Sequence, residues 1–236
     1  FRWALEHAKA NGLERIIIVL PFTNIIDQTA KRLKEILGQD SVLEHHASYV
    51  PVIDTNECAD QHKLACENWD APIILTTTVQ FFETLFSNLP GKCRKLHNIS
   101  KSVVILDEVQ TLPKKIVLPT LDMLQDIHLF MNTSFVFCTA TMPAFEKRAA
   151  FPGINNITEL AEDPAALFNK TQRVRYSLLD ALQPLDQDRL QETLKAQAAS
   201  TLVIANTKRI VLELYNAAQS WQDWDAVYHL STGMCP

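Results

Sequence analysis

Short apolar runs recur along this chain, and segments with a helical period separate them. Residues 16–20, 73–75, 103–106 and 135–138 are each rich in Ile, Val, Leu or Phe with no polar interruption. Such runs predict strands buried on both faces, as in the centre of a parallel sheet. Between them the spacing turns helical. Phe1, Ala4, Leu5 and Ala8 predict a first helix stopped by Asn11-Gly12; Ile26, Ala30, Leu33 and Leu37 predict a second, capped by Thr23 or Asn24 and ended by Gly38. An aromatic helix through Phe82 and Leu85 follows the second run's Thr76-Thr77-Thr78, and Pro119 suits the first turn of a helix carrying Leu121, Leu124 and Ile127. Residues 39–70 are mixed and yield no clear period.

Strand and helix alternate at spacings that allow right-handed crossovers, so the fold class expected is α/β with a parallel sheet. Residues 144–172 lose the period and contain Pro152-Gly153 and Asp163-Pro164, which reads as a helical excursion and linker. Alternation then resumes, with strands expected at 174–179, 201–205 and 226–230 and helices at 190–199 and 208–219. Three regions follow: a first domain over residues 1–145, a linker over 146–172, and a second α/β domain over 173–236. A first helix without a strand before it, and an end at Cys235-Pro236 just past a strand, suggest a chain cut at both ends.

Composition narrows the class. With 236 residues, 47% hydrophobic and 21% charged, the chain reads as a globular protein with real cores. The formal net charge of -5 supplies no global basic field, so any nucleic-acid contact is local. No apolar run reaches membrane-spanning length, and a cytoplasmic protein is expected. The five cysteines are odd in number and form no CxxC pair, which fits reduced thiols.

The candidate chemistry sits where strands end. These ends carry Pro21-Phe22-Thr23, Thr76-Thr77-Thr78, Asp107-Glu108 and Thr139-Ala140-Thr141. Ligands of open α/β sheets collect at the carboxyl ends of strands. Hydroxyls and helix N-terminal amides there suit phosphate oxygens, while adjacent carboxylates suit a hydrated Mg²⁺ and an attacking water. Taken singly, each threonine is an ordinary cap or turn residue. It is the set that points to a ligand-binding edge.

Strand-PFTN, TTTVQFFETLF, ILDEVQ and FCTATMP, in this order and spacing, resemble the ordered motifs of superfamily 2 helicases. More closely they resemble the helicase core of the CRISPR-associated helicase–nucleases of type I systems. Ile204-Ala205-Asn206-Thr207 and Tyr228-His229-Leu230-Ser231-Thr232 with Met234-Cys235-Pro236 resemble motifs of the second domain. The resemblance implies two RecA-like domains, ATP and Mg²⁺ as cofactors, and movement along single-stranded DNA. It assigns Mg²⁺ to Asp107 and water activation to Glu108. Gln110 stands where related helicases carry Asp or His. Thr139, Ala140 and Thr141 would couple nucleotide state to domain movement. Pro21, Phe22, Thr23, Thr77, Thr78, Gln80 and Phe81 would lie along the strand, as would Asn206, Thr207, His229 and Ser231 in the second domain. Expected partners are a Cascade-type CRISPR surveillance complex and a nuclease domain in the same or a separate chain. The G-x-x-x-x-G-K-[ST] loop is missing from the 236 residues, so its place is expected before Phe1, and the chain alone is expected to be inactive.

Alternatives are a generic DExD/H-box helicase acting on RNA or in DNA repair, or a binding module that keeps the fold without the chemistry. Cys58, His62 and Cys66 recur every four residues, with His45-His46 upstream as possible partners. Their spacing is not that of a standard zinc finger, and ordinary residues of an insertion are favoured. Phe81, Phe82, Leu85 and Phe86 are expected mainly as core, with Phe81 left open as a base-stacking face.

Overall fold

The structure, a computed structural model, describes residues 1–47, 64–141, 143–176, 187–196, 200–221 and 224–231. The chain divides into two compact units, Phe1–Leu160 and Ala161–Pro236. In the first unit five parallel strands form one sheet: β1 (Arg15–Leu20), β2 (Val42–His45), β3 (Ile73–Thr77), β4 (Ser102–Leu106) and β5 (Ser134–Phe137). Their spatial order is β2-β3-β1-β4-β5. The strand of residues 16–20 is thus central, and its hydrogen-bonded neighbours come from the third and fourth strands.

Register lines up the carboxyl ends. Leu20 lies opposite Thr77, Val19 opposite Leu106, Leu106 opposite Phe137 and His45 opposite Thr76. Alternate residues of β1 feed opposite layers. Ile16, Ile18 and Leu20 join Ala4 and Ala8 of α1 (Arg2–Asn11) and Ile26, Ala30 and Leu33 of α2 (Thr23–Leu37) in one core. Ile17 and Val19 join Phe81 and Leu85 of α3 (Thr78–Phe86) and Leu124 and Ile127 of α4 (Val117–Met131) in the other. Both faces are covered, which is why every residue of β1 beyond Arg15 is buried. Gly12 ends α1 in the left-handed region at φ 64°, where a side chain would be strained.

Three expectations of local structure change. Phe22, with extended backbone, is the N-cap of α2, and neither Thr23 nor Asn24 caps it with a side chain. Residues 42–45 form a strand inside the stretch that yielded no period. The residues after Thr141 do not leave the first unit. Glu146 bridges to Ile154 and Arg148 to Phe151, and Phe145 packs with Val109, Leu112 and Leu121. The expected linker therefore begins as a buttress of the first unit, because its aromatic and aliphatic residues find a ready apolar surface. Gly153 is required in it: a Cβ there would stand 2.0 Å from the Phe145 carbonyl oxygen.

The second unit contains helices α5 (Pro164–Thr171), α6 (Gln187–Lys195) and α7 (Lys208–Ala218). Among its described residues no strand forms. Residues 174–176, 200–205 and 224–231 run without a ladder, and Leu202, Ile204, Tyr228 and Leu230 are each more than 80% exposed. The apolar alternation that predicted strands is present, but a strand is stabilised only by pairing with neighbours. Residues 177–179 of the first expected strand lie outside the described residues. So do Cys58 and His62 of the four-residue series, and Thr232, Met234, Cys235 and Pro236 of the last motif.

Candidate functional site

Because the strands are parallel and in register, four of the five strand ends bring the hydroxyls and carboxylates singled out in the sequence to one edge. β4 stops at Leu106. The Asp107 amide still donates to the Val19 carbonyl at 3.0 Å, which fixes Asp107 beside the end of the central strand. Glu108 then takes φ 50° and ψ 44°, a left-handed conformation that costs a non-glycine residue roughly 1–3 kcal/mol. This reverses the chain into a short 3₁₀ turn, Val109–Thr111, and leaves both carboxylates half-buried at the edge.

The turn is pinned on both sides. Thr111 donates its amide at 2.9 Å and its hydroxyl at 2.8 Å to the Glu108 carbonyl. The Cys138 amide donates to the Leu106 carbonyl at 2.8 Å, and the Val109 amide donates back to the Cys138 carbonyl at 3.3 Å. Beneath, Val109 and Leu112 are buried against Phe145. Burial first, and the Asp107 carboxylate second, push the Cys138 thiol above its ordinary range.

Side chains then join the two strand ends. Gln110 donates from Nε2 to the Glu108 carboxylate and accepts the Thr139 hydroxyl at Oε1. The assignment of amide oxygen and nitrogen follows from chemistry: an ionised carboxylate only accepts, so it takes the NH₂ group, and the hydroxyl donates to the oxygen. Thr139 Oγ1 also receives the Thr141 amide at 3.2 Å. Gln110, Thr139 and Thr141 thus form one connected set with Glu108, while Ala140 is exposed between them.

A small cleft at the turn is lined by Thr78, Phe82, Leu106, Asp107, Glu108, Val109, Thr111 and Leu112. Its donors are carboxylate and hydroxyl oxygens, the set that suits a hard cation such as Mg²⁺ with part of its water shell retained. Thr78 belongs to it because its hydroxyl reaches the Leu20 carbonyl at 3.4 Å, linking the start of α3 to the end of β1.

The remaining edge residues are distributed as follows. Thr77 caps α3, its hydroxyl accepting the Gln80 amide at 3.2 Å. Pro21, Thr23 and Gln80 are half-buried, and Phe22 is 61% exposed. Phe81 is a correction. It is fully buried, parallel to Trp69 with ring centroids 6.3 Å apart, so it offers no face to a base. In the second unit Asn206 is exposed, Thr207 caps α7 through the Ile210 amide at 3.3 Å, and Ser231 is half-buried. The His229 ring lies 5.3 Å from that of Tyr215, and its Nε2 is shut off from solvent without a hydrogen bond. Both rings line an apolar cavity of about 430 Å³ with Trp221 and Trp224.

Two features escaped the sequence. Thr111 fixes the Glu108 turn, and a hydroxyl three residues after a carboxylate is too common a pattern to single out. The cluster of Asp27, Glu44 and His46 depends on a strand the sequence left unread.

The model of the DEAD/DEAH box helicase family matches residues 1–149, the whole of the sheet and its edge. The chain belongs to this family. The family is one of ATP-dependent helicases, and it implies ATP and typically Mg²⁺ as cofactors. Over 116 residues the chain is also 34% identical to the CRISPR-associated nuclease/helicase Cas3 of Haloferax volcanii, covering 42% of this chain and 12% of that protein. The likeness to Cas3 thus concerns a small part of a much longer protein. No described helix is long and apolar enough to cross a membrane.

Proposed function

We propose that this chain is the ATP-hydrolysing core of a Cas3-like helicase–nuclease, moving along single-stranded DNA in type I CRISPR interference. The observation that carries the reading is the Gln110 amide, which ties Glu108 on the hydrolytic turn to Thr139 on the next strand end. The identity to Cas3 over 116 residues supports the specific class.

Each residue has a role in this reading. Asp107, held at the end of β4 by its amide, would hold Mg²⁺, which supplies charge neutralisation at the phosphates. Glu108 orients and deprotonates the attacking water, its carboxylate held by the Gln110 amide. Gln110 cannot titrate, so it leaves the proton on the water–Glu108 axis and transmits position alone. A shift of Glu108 on loss of the terminal phosphate changes the Gln110–Thr139 bond and thereby the loop of Thr141. Pro21, Phe22, Thr23, Thr77, Thr78 and Gln80 lie along the backbone of the bound strand. Asn206, Thr207 and Ser231 contribute from the second domain, and His229 contributes by ordering against Tyr215. The partners are a Cascade-type surveillance complex and a nuclease domain in the same or a separate chain.

The test is phosphate release by the natural full-length protein with and without single-stranded DNA or RNA. Glu108→Gln lowers turnover by about 10²–10⁴-fold while ATP binding persists. Stimulation by DNA and not by RNA is the expected pattern. Stimulation by RNA alone favours a generic DExD/H helicase, and unchanged turnover in the Gln variant removes the catalytic assignment.

A further inference from the structure

Away from the hydrolytic turn, α2 and β2 trap a second polar cluster. Asp27 and Lys34 are seven residues apart on α2, two turns along one face. Glu44 and His46 are two apart at the end of β2, so they share the face that Val42 turns toward the core of Ala30 and Leu33. His46 Nε2 stands 3.3 Å from Asp27 Oδ1, with the His46 side chain 2% exposed. The Glu44 side chain is buried and is hydrogen-bonded to the Lys34 ammonium through Oε1. One ligand atom from each of Asp27, Glu44 and His46 lies within 4.8 Å of the others.

We propose that Asp27, Glu44 and His46 form a binding site for one borderline divalent metal ion of the Zn²⁺ class. Three properties favour it. The first is separation: ligands about 2.0–2.2 Å from a tetrahedral ion stand roughly 3.4 Å from one another, and the Asp27–His46 pair already does. The second is partial enclosure: the Glu44 and His46 side chains are 8% and 2% exposed, while Asp27 stays open to solvent. The third is donor type. An imidazole among carboxylates suits Zn²⁺, Co²⁺ or Mn²⁺, whereas Mg²⁺ prefers oxygen donors alone.

Lys34 does not close the site. A carboxylate has two oxygens and about four lone-pair positions, so Glu44 can keep its ammonium and ligate an ion. Asp27 is 61% exposed and provides the entry path and the side on which water completes the coordination. This site is separate from Asp107 and independent of it. Asp27 stands one helical turn beyond Thr23, so an ion here staples the start of α2 to the end of β2, next to the edge proposed to bind DNA.

The experiment is a Co²⁺ titration of the 236-residue chain, stripped with chelator and held in excess Mg²⁺, followed by visible absorption. One equivalent is expected, with ligand-field bands, no thiolate charge-transfer band, and displacement by Zn²⁺. Asp27→Asn, at an exposed position, weakens binding by at least about tenfold with an unchanged circular-dichroism spectrum. His46→Gln abolishes it, and Asp107→Asn leaves it intact. Absence of saturable binding overturns the proposal. So does a thiolate band, which would place the ion on cysteines, or a titration that Asp27→Asn does not alter.

Discussion

At the β4–β5 end of the strand edge, the Glu108 turn rests on apolar packing: Val109 and Leu112 lie on Phe145, and Phe137 meets Phe145 edge-on at 5.9 Å. At the β2 end the helix beside the edge is held by polar contacts, Lys34 on Glu44 and Asp27 on His46. The first arrangement leaves its carboxylates half-exposed and keeps the strained Glu108 backbone in place from below. The second buries Glu44 and His46 as a clamp, with Asp27 exposed at its rim. The difference separates two uses of the same residue types. Acidic groups above an apolar floor are available for chemistry, whereas acidic groups between a helix and a strand hold structure.

Removing the floor has the larger effect. Phe145→Ala deletes a buried ring and costs about 3–5 kcal/mol in chemical denaturation, with loss of hydrolysis at lower denaturant than global unfolding. Gly153→Ala acts on the same buttress from the backbone side and costs about 1–3 kcal/mol, since its Cβ meets the Phe145 carbonyl. At the other end Lys34→Met leaves Glu44 buried without its ammonium. A loss of up to about 3 kcal/mol is expected in chemical denaturation. Equal sensitivity of hydrolysis to Lys34→Met and Phe145→Ala at matched stability would erase the distinction between floor and clamp.

The smallest effect is one of pH. Burial pushes the Cys66 thiol up to about 11, from an ordinary value of 9.0. The folded state therefore keeps a proton that the unfolded state loses, so this contribution is intact below pH 9 and falls away as pH rises from 9 toward 11. Denaturation midpoints across that window decline, and Cys66→Ala flattens the part of the slope that thiol causes.

How far the sequence reveals this depended on periodicity. The unbroken runs at β1, β3, β4 and β5 declared buried strands, and the residues after them declared the edge. Val42–His45 hid because a four-residue strand ending in Glu44 and His45 looks like loop, and the buried Glu44 is matched by Lys34 from another element. Phe81 was misread as open because helical spacing does not tell which face meets a sheet; Trp69 covers it. The expected strands of the second unit follow a real alternation that pairing does not realise among the described residues. Gln110 was the residue whose role the motif left least defined, and only geometry joins it to Thr139.

That junction carries the account, and a double-mutant cycle tests it most directly. Gln110→Ala, Thr139→Ala and the pair are compared in the natural full-length protein by base pairs unwound per ATP hydrolysed. The account predicts that each single change lowers this ratio while hydrolysis persists, and that the pair is no worse than either, with a coupling of about 0.5–3 kcal/mol. Fully additive losses, or hydrolysis and unwinding falling together, would contradict it.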